Sequence, residues 1–205
     1  MIENLKPFYN KTLRPAALFF SKAGFHPNHL TIIGLILFAV SGYYSSTGRW
    51  YSALILVIAG ALMDGLDGVV ARETGKKTKF GAILDSSCDR VTEIFLLFGI
   101  MLYYINETQP NLPAVIFCFT SLSGSVMVSY VKARCEGAGI NCRRGIMQRP
   151  ERLIILSFGL LTGPAIMFWI LVILTFFTFI TVVQRIFEAS TACKRHGKKE
   201  KSPST

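Results

Sequence analysis

Charged residues, histidines and paired cysteines are all scarce in this sequence. Only 17% of the 205 residues are charged, whereas 51% are hydrophobic, and the mean hydropathy is +0.45. Soluble domains of this length rarely reach such values, so an ordinary soluble domain is excluded. The three histidines are scattered and the five cysteines contain no CxxC pair, so we expect neither a zinc site nor a disulfide framework.

We also expect no secretory signal peptide. The first 28 residues lack an apolar h-region, and no small-residue cleavage site follows the first apolar run. Aromatic and aliphatic residues instead alternate with basic ones, namely Phe8, Leu13, Leu18, Phe19 and Phe20 with Lys6, Lys11, Arg14 and Lys22. This pattern predicts an amphipathic helix on an anionic membrane surface, with a solvated leader as the alternative.

Long apolar runs are abundant, and they predict an all-α polytopic membrane protein. We expect six transmembrane helices, at about residues 30–48, 51–71, 82–105, 112–132, 150–162 and 165–187. The last two runs are separated only by Gly163-Pro164, which breaks what would otherwise be one long helix. The predicted domains are an N-terminal interfacial helix (1–28), a six-helix domain (29–189) and a disordered basic tail (190–205).

Basic residues are sorted to one side of these predicted spans. With a cytoplasmic N-terminus, 21 of the 22 lysines and arginines fall on the cytoplasmic side, and Arg49 alone lies opposite. This predicts a multi-pass protein of the cell membrane with both termini in the cytoplasm. The net charge of +10 therefore belongs to one face, where membrane lipids or phosphorylated substrates are the expected partners and nucleic acid is not.

Four aspartates interrupt the apolar pattern at the end of the second span and the start of the third. Asp64 and Asp67 share a helix face, Asp85 and Asp89 are four residues apart, and a short connection makes the two helices antiparallel neighbours. Each ionised carboxylate costs about 2.5–3.5 kcal/mol at mid-bilayer, a cost that falls towards the interface. Salt bridges to Arg72 and nearby basic residues are the structural alternative.

Carboxylates without imidazole or thiol partners suit hard cations, and two divalent ions, Mg²⁺ or Mn²⁺, would balance four of them. The same stripe carries Gly68, Ala71 and Arg72, and Gly81 stands at the mouth of the next helix. Small residues beside the acids leave room for a ligand, and Arg72 offers a bidentate phosphate donor. Close helix packing is the alternative explanation for the small residues.

Together these residues resemble the complete signature of the CDP-alcohol phosphotransferase family. The matching pattern is Asp64-x2-Asp67-Gly68-x2-Ala71-Arg72-x8-Gly81-x3-Asp85-x3-Asp89. The resemblance implies that Asp64, Asp67, Asp85 and Asp89 hold two divalent metals, and that Asp89 is also the general base. It implies CDP-lipid contacts from Asn28, Thr31, Gly68, Arg72 and Thr78. It further implies an enzyme that releases CMP in phospholipid biosynthesis, and a homodimer.

The acceptor alcohol is expected to meet a second group of residues. Basic side chains gather at the predicted cytoplasmic ends of the last three spans, namely Lys132, Arg134, Arg149, Arg152 and Arg185. A cationic pocket suits a phosphorylated alcohol, although basic residues at helix ends commonly only snorkel to the interface. The segments SYVKAR and RPERL are similar to phosphatidylinositol-phosphate and archaetidylinositol-phosphate synthases, which implies inositol 1-phosphate as the acceptor.

Two other functions stay open on the sequence alone. Glycerol 3-phosphate would suit the same basic pocket, giving phosphatidylglycerol phosphate by the same chemistry. An ion transporter could also carry intramembrane carboxylates, but it would need polar residues along a path to the far side. Here the far halves of the predicted spans are apolar and the acids cluster at one end. The sequence does not distinguish an ester-linked from an ether-linked lipid donor.

Overall fold

The computed structural model describes the backbone of residues 6–140, 142 and 145–200, and the side chains of 12–140, 142 and 145–194. Within these residues the protein contains seven α-helices and no strand, which confirms the all-α class. The helices are α1 Lys6–Lys22, α2 Pro27–Ser46, α3 Trp50–Glu73, α4 Lys79–Ile105, α5 Leu112–Gly137, α6 Arg149–Thr162 and α7 Pro164–Glu200. A helix therefore lies at each position where the sequence predicted a span.

Four of these helices, α2, α3, α5 and α7, are long and apolar enough to cross a membrane. The protein is therefore a membrane protein. Helix α4 has 27 residues, but its first 15 include the charged residues Lys79, Asp85, Asp89, Arg90 and Glu93. Helix α6 has only 14 residues, and about 20 are needed to span a bilayer in a straight path. For α4 and α6, the crossing therefore remains a prediction.

Local chemistry fixes where the helices begin and end. Pro27 occupies the first turn of α2, where its missing N–H costs nothing, and the His26 ring accepts a hydrogen bond from Asn28 N at 3.4 Å. Thr78 caps α4, accepting a hydrogen bond from Gly81 N at 2.9 Å. Gly163 separates α6 from α7 with a φ of +90°, a conformation that other residues rarely adopt, so the break predicted there is confirmed.

The chain forms two compact units, Met1–Val115 and Ile116–Thr205. In the first unit, α2 packs against both α3 and α4. Glycines permit the close approach: a Cβ on Gly34 would lie 3.3 Å from the Gly60 carbonyl oxygen, and a Cβ on Gly99 would collide with the backbone of Gly42. Helix α2 is thereby held against the two helices that carry the aspartates.

Helix α1 packs on α3 in the same unit. Leu13 and Ala17 are buried in an apolar cluster with Leu66, Val69 and Val70. Arg14 adds an ion pair to Glu73 near the end of α3, with Nη2 and Oε2 3.3 Å apart. One face of α1 thus contacts protein, whereas Leu18 and Phe19 are exposed. The predicted membrane-surface position of α1 remains a prediction.

In the second unit, α7 packs against α5 and α6. Ser121 donates a hydrogen bond to the Leu171 carbonyl oxygen at 3.0 Å, which satisfies a buried hydroxyl between α5 and α7. Helices α6 and α7 form a hairpin in which a Cβ on Gly159 would lie 2.6 Å from the sulfur of Met167. The contacts between these helices therefore rest on small residues and hydroxyl groups, as is common in membranes.

Helix α7 also continues further than the sequence indicated. We predicted a disordered tail from residue 190, whereas the helix runs to Glu200. The segment carries alanine, lysine and glutamate, which have good helix propensity, and extending an existing helix avoids the cost of nucleation. Residues 201–205 lie outside the part of the chain that the structure describes.

Candidate active site

The centre of the site is a stripe on α3. Asp64, Asp67, Gly68, Ala71 and Arg72 follow helical spacing along one face of this helix, as the sequence predicted. Asp67 is buried, with 7% of its surface exposed, and Asp64 is half-buried. Burying carboxylates is costly unless an opposite charge compensates for the lost hydration.

Helix α4 adds a third carboxylate to this stripe. One oxygen from each of Asp64, Asp67 and Asp85 lies within 4.8 Å of the others. The predicted convergence of two antiparallel helices therefore brings three aspartates together. Oxygen donors in this arrangement fit a hard divalent cation such as Mg²⁺ or Mn²⁺, whose charge would offset their mutual repulsion. These three residues could hold such a cation.

Asp89 lies one helical turn beyond Asp85 and is half-buried. It is not a member of the group of three carboxylates. The predicted role of Asp89 as a metal ligand therefore stays a prediction, and so does its role as general base. Asp89 is four residues after Asp85 on α4, which is about one helical turn from the group of three carboxylates.

Thr31 is linked directly to one of the three acids. Its hydroxyl donates a hydrogen bond to Asp67 Oδ2 at 2.5 Å, and only 6% of its surface is exposed. The same hydroxyl oxygen lies 3.3 Å from the carbonyl oxygen of Pro27, one turn earlier in α2. The sequence predicted a nucleotide contact for Thr31 and gave no signal of its bond to Asp67, because the two residues are 36 positions apart.

The other predicted CDP-lipid contacts fall into two neighbouring pairs. A Cβ on Gly68 would lie 3.3 Å from Arg72 Nη1, so the guanidinium lies over the bare backbone of Gly68. A Cβ on Gly81 would lie 3.0 Å from Thr78 Oγ1 and 3.3 Å from Asn28 Oδ1. The start of α2 therefore meets the start of α4, and Gly81 leaves space between their polar side chains.

The predicted acceptor residues belong to the second unit and have different environments. Arg152 and Arg185 are buried, with 1% and 3% exposed, and are close enough to interact electrostatically. Arg152 donates to the carbonyl oxygen of Met147 at 3.1 Å, and Arg185 to that of Val128 at 2.5 Å. These two arginines therefore support the backbone of this unit as well as carrying charge.

The remaining basic residues of this set are more accessible. Lys132 and Arg134 are exposed, and Arg149 is half-buried. Lys132 Nζ lies 3.8 Å from Glu136 Oε1, an exposed pair of the kind that contributes little stability. Lys132 can therefore exchange this partner for a bound anion at small cost. The structure brings Arg152 and Arg185 together and leaves the convergence of the whole set a prediction.

Two polar side chains beside these arginines were not predicted as site residues. Among the residues that the structure describes, Glu151 Oε2 and Gln184 Oε1 are buried without a hydrogen-bond partner. Each directly precedes one of the paired arginines, Arg152 and Arg185. Buried acceptor oxygens of this kind are suited to hydroxyl donors of a ligand or to water. The sequence did not indicate Glu151 and Gln184 as site residues, because burial of their oxygens is visible only in the folded structure.

Comparison with known proteins identifies the family of the chain. Residues 25–189 match the CDP-alcohol phosphatidyltransferase family. The archaetidylinositol phosphate synthase of Pyrococcus horikoshii is 36% identical over 191 residues, covering 92% of this chain and 96% of that protein.

Solved structures agree with the fold. The crystal structure of Mycobacterium tuberculosis phosphatidylinositol phosphate synthase with CDP-DAG bound has a TM-score of 0.81 and 30% identity, covering 87% of this chain and 94% of that chain. The same protein in complex with manganese and citrate gives a TM-score of 0.81 and 31% identity, covering 86% and 88%. With its acidic stripe and a family match over most of its length, the chain belongs to the CDP-alcohol phosphatidyltransferase family of membrane-bound transferases.

Proposed function

We propose that the protein transfers a phosphatidyl-type group from a CDP-linked lipid to inositol 1-phosphate and releases CMP. The observation that carries this proposal is the group of three carboxylates on α3 and α4, with oxygens within 4.8 Å of one another. Arg72 lies on α3, and Thr78 caps α4. Relatives that match most of the chain are named for phosphorylated inositol lipids. The reaction belongs to phospholipid biosynthesis.

The donor binds at the first unit in this proposal. Two divalent cations, Mg²⁺ or Mn²⁺, held by Asp64, Asp67, Asp85 and Asp89, would neutralise the diphosphate and the charge on departing CMP. Arg72 lies over Gly68 with its guanidinium at the edge of the acidic stripe, where it can hold a phosphate oxygen. Asn28 and Thr78 meet beside Gly81 and supply polar groups for the nucleotide.

Asp89 removes the proton from the acceptor hydroxyl. The hydroxyl oxygen forms a bond to the lipid-side phosphorus, and the bond between that phosphorus and the bridging oxygen breaks. CMP leaves with the bonding electron pair. An ionised carboxylate has two oxygens, so Asp89 can contribute one to the second cation and accept the proton with the other.

The acceptor phosphate binds to the predicted set of basic residues on α5, α6 and α7 in this proposal. Inositol 1-phosphate carries close to two negative charges, which favours a site with several cations. Lys132, Arg134 and Arg149 are accessible enough to contact it, while the buried Arg152 and Arg185 add to the positive field. The ring hydroxyls of inositol suit the buried acceptor oxygens of Glu151 and Gln184.

An acceptor screen tests this function most directly. The purified protein is incubated with Mg²⁺ and either CDP-diacylglycerol or its ether-linked counterpart, and CMP release is measured with three alcohols. We expect inositol 1-phosphate to be the best acceptor, glycerol 3-phosphate a poorer one, and serine or unphosphorylated inositol inactive. A preference for glycerol 3-phosphate would indicate that the protein makes phosphatidylglycerol phosphate. No CMP release with any alcohol would contradict the transferase chemistry.

Removing an accessible cation should weaken acceptor binding selectively. A charge-assisted contact to phosphate contributes about 1.5–3 kcal/mol, which corresponds to about 10- to 150-fold in affinity. We expect Lys132→Ala and Arg149→Ala each to raise the KM for inositol 1-phosphate by that factor and to change the KM for CDP-lipid far less. Lys194→Ala, an exposed lysine of α7, is the control and should leave both unchanged. Loss of CDP-lipid affinity instead would assign these cations to the donor.

We also propose six membrane crossings with both termini in the cytoplasm, and a homodimer. The sorting of 21 of the 22 basic residues to one side supports this topology. An impermeant maleimide added to intact cells should label Arg49→Cys and should not label Lys76→Cys or the parent. Labelling of Lys76→Cys from outside would contradict the topology.

The homodimer is tested separately. Light scattering of the detergent-solubilised protein measures whether its mass is that of two chains.

A further inference from the structure

The hydrogen bond between Thr31 and Asp67 crosses from α2 to α3 in a buried part of the site. At 2.5 Å between Thr31 Oγ1 and Asp67 Oδ2 it is short, as expected when a hydroxyl donates to an ionised carboxylate. The hydroxyl has one proton, and the competing Pro27 carbonyl oxygen is further away at 3.3 Å. Asp67 is therefore the principal acceptor for that proton.

We propose that Thr31 is a positioning residue that orients the Asp67 carboxylate for metal binding. A carboxylate rotates easily about its terminal torsion, and several rotations would turn its oxygens away from Asp64 and Asp85. The bond to Oδ2 favours one rotation of the carboxylate, the one in which Asp67 stands beside Asp64 and Asp85. This inference rests on the proposed function, because it assumes that the three-carboxylate group holds a metal.

The geometry favours this role over a direct contact with the nucleotide. Only 6% of Thr31 is exposed, and its proton is engaged by Asp67. Asn28, one turn earlier on α2, is half-buried and reaches the space beside Gly81 and Thr78. On helix α2, Asn28 is therefore suited to meet the nucleotide, and Thr31 acts through Asp67.

Mn²⁺ binding without substrate provides the test. The full-length protein in detergent is titrated with Mn²⁺, and the free ion is measured by its electron paramagnetic resonance signal. Thr31→Val removes the hydroxyl at nearly constant volume, Thr31→Ser keeps it, and Thr31→Ala repeats the test without bulk should the valine variant unfold. The control Ser41→Ala removes another buried bond between α2 and α3, from Ser41 Oγ to the Ala53 carbonyl at 3.0 Å. Ser41 lies about 15 Å from Thr31 along the helix.

Loss of a group that orients a metal ligand typically lowers metal affinity by about 10- to 100-fold. We expect that loss in Thr31→Val and Thr31→Ala, with near-parental affinity in Thr31→Ser and Ser41→Ala. Parental Mn²⁺ affinity in Thr31→Val would overturn the proposal. If Thr31→Val lost CDP-lipid affinity but kept its Mn²⁺ affinity, Thr31 would instead be a direct contact of the nucleotide. Equal losses of Mn²⁺ affinity in Thr31→Val and Ser41→Ala would also overturn it, because the Thr31 bond would then act only through the packing of α2 on α3. If neither the parent nor Asp67→Asn binds Mn²⁺, the result contradicts the proposed metal-dependent function itself.

Discussion

Excess EDTA should abolish CMP release by the purified protein, and Mg²⁺ or Mn²⁺ should restore it. The reason lies in the three carboxylates whose oxygens lie within 4.8 Å of one another. Without a cation they repel one another and also repel the diphosphate of the donor. No histidine or cysteine belongs to this group, so hard cations with oxygen preference are the expected activators.

Two controls make the chelation experiment specific. EDTA already saturated with Mg²⁺ should leave turnover unchanged, which separates metal removal from any other effect of the chelator. Binding of CDP-lipid should fall together with turnover, because the diphosphate loses its counter-charge. Undiminished CMP release in excess free EDTA would contradict the metal-dependent mechanism and leave the acidic group without the proposed role.

The convergence of the acids could be predicted from sequence because it depends on local geometry. Helical spacing aligns Asp64 with Asp67, and the connection between α3 and α4 is too short for anything other than antiparallel neighbours. Asp85, at the start of α4, must then lie near the end of α3. The same reasoning assigned Asp89 to the cluster; it lies one helical turn beyond Asp85, and its part in the metal site stays a prediction.

Contacts between distant positions could not be predicted in this way. The Thr31–Asp67 bond depends on how closely α2 approaches α3, which is set by glycine contacts such as Gly34 with Gly60. No periodicity in the sequence reports that distance. A threonine at the start of an apolar helix has the same local pattern whether it caps the helix, binds a nucleotide or orients a carboxylate.

The second unit shows the same limit for charged residues. The sequence grouped five basic residues by their position at helix ends, and this could not separate exposed cations from buried ones. Arg185 donates to the Val128 carbonyl and Arg152 to the Met147 carbonyl, so both are part of the packing. Truncating either would leave a buried carbonyl oxygen without that donor and lower stability. For this reason Lys132 and Arg149 are the better residues for testing acceptor binding.

Asp67→Asn and Asp89→Asn should fail in different ways, since one residue belongs to the three-carboxylate group and the other does not. An amide in place of Asp67 removes a charged ligand oxygen and the acceptor of the Thr31 bond. We expect it to weaken Mn²⁺ and CDP-lipid binding together, by more than the roughly 10- to 100-fold typical of groups that only orient a ligand. Asp89→Asn should keep CDP-lipid affinity near that of the parent and lower kcat by about 10²- to 10⁴-fold, the usual contribution of a general base.

The measurements that separate the two variants are equilibrium binding of CDP-lipid in the presence of Mn²⁺ and CMP release at saturating substrate. Asp89→Glu is a useful companion, because it keeps a carboxylate on a longer side chain and should recover part of the turnover lost in Asp89→Asn. Equal losses of CDP-lipid affinity in Asp67→Asn and Asp89→Asn would make Asp89 a metal ligand without a separate role in proton transfer. Normal turnover in Asp89→Asn would require a different base for the acceptor hydroxyl, and the half-buried Glu93, one turn further along α4, would be the next carboxylate to replace.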